Sequence, residues 1–357
     1  MNKKIISVVV IIVVIILGIW VFQNKPAGDK EVIKIGVVAP LTGSATVFGT
    51  TLVKGVEMAA ADMSKNNTKY SYKVIVEDDE STPAKSASAA SKLINVDKVK
   101  AIISTTGGTG NAIKSIAEKA GVIHISNSKD ISIGNVPYNY TNLMTPDKEV
   151  AASISEALKR GNKTAAILGQ VHSGVAMLVK AFLPEAEKQG LKVVYNESFT
   201  GDNRDFKTII AKAKQSKADI YFILAYPPSL DIITKEIVTA GVNNISFTAT
   251  ITTSPNLSLY NGYWFPDCTL ADPAFKDRFE NLYPGVKFNV VTVPYAYDSF
   301  NMLVQSFENG GDANANLKAI TEYSGKVGDI TKDASSQNFK SSASIWIMKN
   351  GVPEMVK

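Results

Sequence analysis

The sequence predicts an α/β protein of two parallel-sheet units, preceded by one membrane-spanning helix. Three observations carry this. Apolar runs alternate with helical periodicity from Val32 to Ile125, giving β-α-β-α-β-α-β. The alternation restarts after Pro146 and continues to Ala249. Ile5 to Phe22 is a stretch of 18 residues without a charge.

The N-terminal stretch comes first in the chain. As a helix it rises about 27 Å, close to the ~30 Å hydrocarbon core of a bilayer. Lys3 and Lys4 precede it, and the flank after it (Lys25, Asp29, Lys30, Glu31) is nearly balanced. That asymmetry orients the bulk of the chain outside the cytoplasm. A cleavable signal has a shorter apolar core and then a small-x-small site. Lys25, two before Ala27, spoils the best candidate, and no cysteine stands nearby for lipid attachment. The expectation is an uncleaved anchor with a polar tether, residues 1–30, on the outer face of the cytoplasmic membrane.

The first α/β unit then opens. Val32 to Pro40 is a strand and Leu41 to Gly49 a loop of small and hydroxyl residues around Phe48. Thr50 to Met63 is a helix with Leu52, Val53, Val56, Ala59 and Ala60 inward. Tyr70 to Glu77 is a strand ended by the turn Asp78 to Pro83, and Lys85 to Val96 is helical. Val99 to Ile103 is a short apolar strand, Thr105 to Gly110 a glycine-rich turn and Ala112 to Ala120 a helix, with Gly121 fitting its C-cap. Val122 to Ile125 is the next strand, followed by the polar turn Ser126 to Asp130. In a parallel sheet these two polar turns lie at the carboxyl ends of adjacent strands, where open α/β sheets bind ligands.

The second unit repeats the architecture without a sequence repeat. Helices at 147–160, 175–189, 205–215 and 230–240 alternate with strands at 164–168, 191–197, 219–225 and 245–249, with a loop at 169–174. After Thr250 the chain changes character. It gives an aromatic strand at 262–265, helices at 273–283 and 295–308, and short strands at 325–333 and 344–348 with a turn at Lys349-Asn350-Gly351.

Composition narrows the function. Of 357 residues, 45% are hydrophobic and 20% charged, which is globular composition on a two-domain length. The net charge of +5 is spread among acids, so no nucleic-acid-binding patch is expected. One cysteine, Cys268, excludes an internal disulfide, and two histidines make a histidine-rich metal site unexpected. His124 reads as a satisfied core histidine and His172 as a loop residue. The turn Asp78-Asp79-Glu80 reads either as an exposed turn or as a cation site. For a dinucleotide site, Gly108-Thr109-Gly110 would need Gly or Ala at Ile113. The sequence contains no P-loop and no Gly-x-Ser-x-Gly elbow. The chain is therefore read as a non-enzyme without cofactors or metals.

The order of segments resembles the solute-binding proteins of ABC importers for branched-chain amino acids, the leucine/isoleucine/valine-binding family. The matching pieces are Ile33 to Gly43 with Phe48-Gly49, Gly55 to Ala59, Glu77-Asp78-Asp79 with Pro83, Ala296-Tyr297-Asp298, Val327 to Ile330 and Lys349-Asn350-Gly351. The resemblance spans about residues 32–357. It implies the type I periplasmic-binding fold: two lobes joined by a three-strand hinge, 31–145 with 255–325 and 146–254 with 326–357. It also implies a small ligand captured by hinge closure in a monomer, then delivered to an ABC permease with its ATPase. The alternative is a ligand-sensing ectodomain that signals through a membrane partner.

The resemblance also implies site residues. Phe48 stands where an aromatic covers the ligand, or packs in the core. Thr106, Gly107 and Gly108 stand where a hydroxyl and backbone N–H groups hold a carboxylate. The positive end of the following helix favours an anion there. Ser128 and Asp130 stand where the amino-acid binders hold the ammonium, and Asp130 in place of a hydroxyl either pairs with a cationic group or starts the next turn. Ser173 occupies a place that is commonly Tyr. Tyr226 matches a cleft aromatic. Near Thr252 the amino-acid binders place an acid, and this chain has none. Tyr297 and Asp298 are expected to reach the cleft, with helix capping as the other role for Asp298.

Overall fold

A computed structural model describes residues 30–43, 45–332 and 335–356. The expected anchor, Ile5–Phe22, lies outside the described residues. The first unit contains β1 (Val32–Ala39), α1 (Thr46–Met63), β2 (Ser71–Asp78), α2 (Pro83–Lys92), β3 (Ala101–Thr105), α3 (Gly107–Ala120), β4 (Ile123–Asn127) and β5 (Asn139–Asn142). The second runs through α4 (Pro146–Lys159), β6 (Thr164–Gln170), α5 (Ser173–Gln189), β7 (Lys192–Phe199), α6 (Lys207–Gln215), β8 (Ile220–Leu224), α7 (Ser229–Thr239), β9 (Ile245–Phe247) and β10 (Trp264–Cys268). Helices α8 (Pro273–Leu282), α9 (Val293–Glu308) and α10 (Ala313–Ala319) follow, then β11 (Glu322–Gly325), β12 (Gly328–Thr331), β13 (Asn338–Ser341), β14 (Ala343–Lys349) and β15 (Val352–Met355).

The eight-stranded sheet has the order β11-β12-β13-β5-β4-β3-β1-β2. It is parallel from β13 to β2, while β11 and β12 form an antiparallel edge. Both faces are covered, so β1 and β3 read as nearly continuous apolar runs, while β4 and β5 carry buried polar groups such as His124, Ser126, Asn139 and Thr141. Val37 and Ile103 pack towards one face, while Val38 and Ile102 pack towards the other. The second unit is the parallel sheet β7-β6-β8-β9. A third, antiparallel sheet, β10-β14-β15, has the last two strands joined through Asn350 and Gly351. Both turn residues have positive φ (51° and 74°), the requirement of a tight two-residue hairpin.

The strand pairing divides the chain differently from the sequence expectation. The chain passes between the units three times: at 143–145, at 269–272 and at Ser342. Residues 328–341 pair with the first unit's sheet, where the sequence places 326–357 in the second lobe. Residues 257–268 pack with the second unit: Tyr260 donates its hydroxyl to Asp231 on α7 (2.5 Å), and β10 pairs with β14. The physical reason is that β12 and β13 are short, and only the large sheet's open edge at β5 completes their hydrogen bonding.

Two helices begin earlier than their periodicity suggests. Helix α1 starts at Thr46, so Phe48 sits on its first turn rather than in a loop. Helix α3 starts at Gly107 and takes in the glycine turn. Its N-cap, Thr106, accepts the N–H of Thr109 (3.3 Å) and so replaces one missing helical acceptor. Glycine is needed at Gly110, where an added methyl would lie 2.6 Å from Ser126 Oγ on the neighbouring strand's end. That close approach holds the helix start against β4.

Candidate functional site

A cleft of about 630 Å³ opens between the two units at the carboxyl ends of their strands. The first unit contributes Phe48, the segment 105–108 and the segment 127–130. The two segments are adjacent because Thr105 and Asn127 are register partners on β3 and β4. The second unit contributes His172, Gly174, Met177 and Tyr226, and the 249–253 turn closes the side.

On the first unit the α3 N-terminus is the polar centre. A helix leaves its first N–H groups without intrahelical acceptors. Thr106 Oγ1 takes that of Thr109, and the Thr106 carbonyl takes that of Gly110 (3.1 Å). The N–H groups of Gly107 and Gly108 remain on the cleft wall, at the positive end of a 14-residue helix. Thr106 itself has φ +66° and ψ 150°, a conformation that β-branched residues rarely adopt. A buried carboxylate maintains it from behind. Asp79 Oδ2 accepts from Thr109 Oγ1 (2.5 Å) and Ser86 Oγ (2.9 Å), and Oδ1 accepts the N–H of Ser81 (3.0 Å). The exposed-turn reading holds for Glu80, Thr82 and Pro83, but Asp79 is fully buried and acts as a brace. Asp78 accepts from Leu41 N, Thr42 N and the Thr42 hydroxyl, which fixes the loop before Phe48. Among the described residues no cluster of His, Cys, Asp or Glu could hold a metal ion.

The second polar turn is organised by its own side chains. Ser128 Oγ accepts the N–H of Asp130 (3.1 Å). Asp130 Oδ1 accepts from the Ser132 hydroxyl (2.6 Å) and N–H (3.1 Å), and Oδ2 accepts from Asn111 Nδ2 on α3 (2.7 Å). Partial burial would raise its pKa, but these bonds outweigh it and hold the carboxyl below the usual range. Asp130 starts the next turn and ties it to α3.

Lys129, between them, escaped the sequence reading. It borders the cleft and forms an ion pair with Glu149 on α4, across from one unit to the other. Glu149 is buried, and its other oxygen accepts the N–H of Ala249 (3.1 Å). Burial would lower the Lys129 pKa, but the Glu149 carboxylate outweighs it and keeps the ammonium charged. Asn127 was also missed. Its Oδ1 accepts from Ser299 Oγ (3.2 Å), while its buried Nδ2 has no hydrogen-bond partner among the described residues. A lysine and an asparagine in a polar turn look like surface in sequence; only the strand register turns them inward.

The opposite wall is aromatic. Tyr226 packs on His172 with ring centroids 4.6 Å apart, and its N–H donates to Gln170 Oε1 (2.8 Å). His172 Nδ1 accepts the N–H of Gly174 and caps α5, so this loop histidine is placed by its helix. Ser173 supplies the first residue of α5 between two cleft residues. Thr252 borders the cleft and donates its hydroxyl to the Ala249 carbonyl (2.9 Å).

Two expected site residues stand elsewhere. Tyr297 faces α1, where its hydroxyl donates to Asp62 (3.0 Å), and its ring packs edge-on against Phe275. Asp298 is buried in the second turn of α9, too far in to cap it, and accepts the N–H groups of Lys326 (2.9 Å) and Val327 (3.2 Å). Burial pushes its pKa up to about 7. The face of α9 that carries the two residues serves the first unit's interior. His124 is a core residue as read: fully buried, bonded to Ser104 and Asn139, and pushed down to about 4 by burial.

The sequence profile of the family described as "Periplasmic binding protein" matches residues 32–347. The Leu/Ile/Val-binding protein BraC3 of Rhizobium johnstonii is 23% identical over 218 residues, which cover 59% of this chain and 59% of that protein. The aligned region thus spans under two thirds of that relative's length. A leucine-binding protein, LivK, from Thermotoga maritima superposes with a TM-score of 0.77 at 20% identity, covering 91% of this chain and 98% of that one. A solute-binding protein of an ABC transporter from R. palustris, solved in complex with 4-hydroxybenzoate, gives a TM-score of 0.78 at 20% identity, covering 92% and 96%. These likenesses agree with the α/β fold described above. The chain belongs to the periplasmic binding protein family.

Proposed function

We propose that this chain is an extracytoplasmic solute-binding protein. It captures one small polar ligand bearing a carboxylate, an amino acid or a related amide or carboxylate, and delivers it to an ABC import permease. The observation that carries this reading is the pair of uncommitted N–H groups, Gly107 and Gly108, at a helix N-terminus inside the cleft between the units. The cleft's volume, about 630 Å³, suits a small molecule. Relatives named for Leu/Ile/Val binding and a structural neighbour holding 4-hydroxybenzoate all take small carboxylates.

Closure about the three crossovers brings the His172–Tyr226 wall over a ligand seated on the first unit. It removes water from the carboxylate's hydrogen bonds, which strengthens them. Ile5–Phe22 tethers the monomer to the outer face of the membrane. The test is a thermal-shift screen of the full chain in detergent against amino acids, amides and short carboxylates. At least one class raises Tm; a flat response across the panel overturns the reading. For the tether, the chain stays in the membrane pellet after a high-salt wash, and recovery in the soluble extract contradicts it.

A further inference from the structure

We propose that the buried Lys129–Glu149 ion pair is a strut between the two units. It confines their motion to a rotation about the edge of the cleft beside the crossovers, and so holds the empty cleft ready for capture. The inference rests on the cleft being the ligand site. The pair acts on the walls of that site rather than on the ligand.

Each end of the pair is fixed to a different wall. Lys129 stands between Ser128 and Asp130 on the first unit. That segment is held by the bond from Asp130 N to Ser128 Oγ (3.1 Å) and tied to α3 through Asn111 (2.7 Å). Glu149 sits in the first turn of α4. Val150, Ile154 and Ala157 of that helix pack into the second unit's core with Leu178 and Phe182 of α5. The other Glu149 oxygen takes the N–H of Ala249 (3.1 Å), where the 249–253 turn begins. The pair therefore joins two cleft-bordering segments, 127–130 and 249–253, that belong to different units.

Its place and its burial decide what it does. The Glu149 N–H donates to the Thr145 carbonyl (3.1 Å), so this residue stands at the end of the first crossover. Asp267, two residues before the second crossover, is a further buried acid whose carboxyl senses both charges of the pair. The pair thus lies beside the crossovers, where rotation of one unit displaces atoms least. Three single-chain crossovers alone would also permit twist and shear. Among the described residues no other ion pair joins the two units. The Lys129 and Glu149 side chains are only 17% and 1% exposed. Pulling them apart would leave a carboxylate buried without its cation, which is costly, and salt screens such a pair little. Sliding one unit past the other is therefore resisted, while rotation about the pair remains. A cleft preset in this way has less freedom to lose when a ligand enters.

The experiment measures the distance between two spin labels on the full chain in detergent. The labels are carried by Ala84→Cys on α2 and Lys180→Cys on α5, both exposed, while the native Cys268 is fully buried. The empty protein gives one narrow distance distribution. Lys129→Met/Glu149→Gln removes the pair without leaving a lone buried charge and keeps an oxygen for the Ala249 N–H. There the empty distribution is at least about twofold broader. An unchanged width in the folded double variant overturns the inference alone. If that variant does not fold, Lys129→Gln replaces it, keeping a hydrogen bond to Glu149 but no charge, and an unchanged width overturns the strut equally. Titration with leucine and with 4-hydroxybenzoate tests the underlying reading separately. At least one of them shortens the distance, and its affinity for the double variant is weaker by about threefold or more. Undiminished affinity there removes capture from the role of the pair. If neither probe shortens the distance, the reading of the cleft as a closing carboxylate site fails, whatever the widths show.

Discussion

The two walls of the cleft are built on opposite principles. The first unit's wall is polar and over-determined: Thr106, Gly107 and Gly108 are held from behind by Asp79, and Ser128 to Asp130 by their own side chains and Asn111. The second unit's wall is aromatic and held by few bonds, chiefly Tyr226 N to Gln170 and Gly174 N to His172. The difference teaches how labour is divided. A polar wall must be rigid before the ligand arrives, because misplaced donors lose most of their worth. An apolar wall tolerates adjustment, because burial is non-directional.

The largest expected effect breaks the first wall. Asp79→Ala strands the Thr109 hydroxyl in the interior and takes an acceptor from Ser86 and from the N–H of Ser81. It should cost about 3 kcal/mol or more in urea unfolding and weaken every carboxylate ligand with it. An unchanged midpoint would mean that the brace is ornamental.

The next effect concerns the joint between the walls. Asp267, on β10 beside the second crossover, is buried with Oδ2 unpartnered, and burial pushes its pKa up to about 7. The folded protein therefore binds a proton here that the unfolded chain releases near the ordinary value of 3.8. Stability accordingly falls as pH rises from about 4 to about 7 and levels off above, by roughly 1 kcal/mol per unit within the window. Asp267→Asn, which has no proton to lose, should remove about half of the slope in this window, because buried Asp298, also pushed up to about 7, supplies the rest. Parallel slopes in the two proteins would show that another group is responsible.

Smaller effects separate recognition from cover. Tyr226→Ala should weaken ligand binding by roughly tenfold, read by calorimetric titration, because it removes contact area from the second wall. Undiminished affinity would remove the aromatic wall from the account. The smallest effect is that of Tyr297→Phe. It loses one bond to Asp62 outside the cleft, so unfolding shifts by about 1 kcal/mol or less and ligand affinity stays the same.

Much of this was legible in sequence. Apolar runs such as Ile102-Ile103 and Val122-Ile123 announce strands covered on both faces, and the glycine turn and Tyr226 do border the cleft. What could not be read depends on long-range register. Lys129 looks like a solvated lysine until β4 lies beside β3 and α4 brings Glu149 across. Tyr297 and Asp298 follow a familiar motif, but helical phase decides which face of α9 meets the cleft. β13 carries no signal that it pairs with β5, about 200 residues earlier in the chain.

The central claim is that the α3 N-terminus receives the ligand's carboxylate. A crystal structure of the chain with the strongest ligand from the thermal-shift screen tests it most directly. The account predicts carboxylate oxygens about 3 Å from the N–H groups of Gly107 and Gly108. A carboxylate turned towards His172 and Tyr226, or a ligand bound outside the cleft, would contradict it.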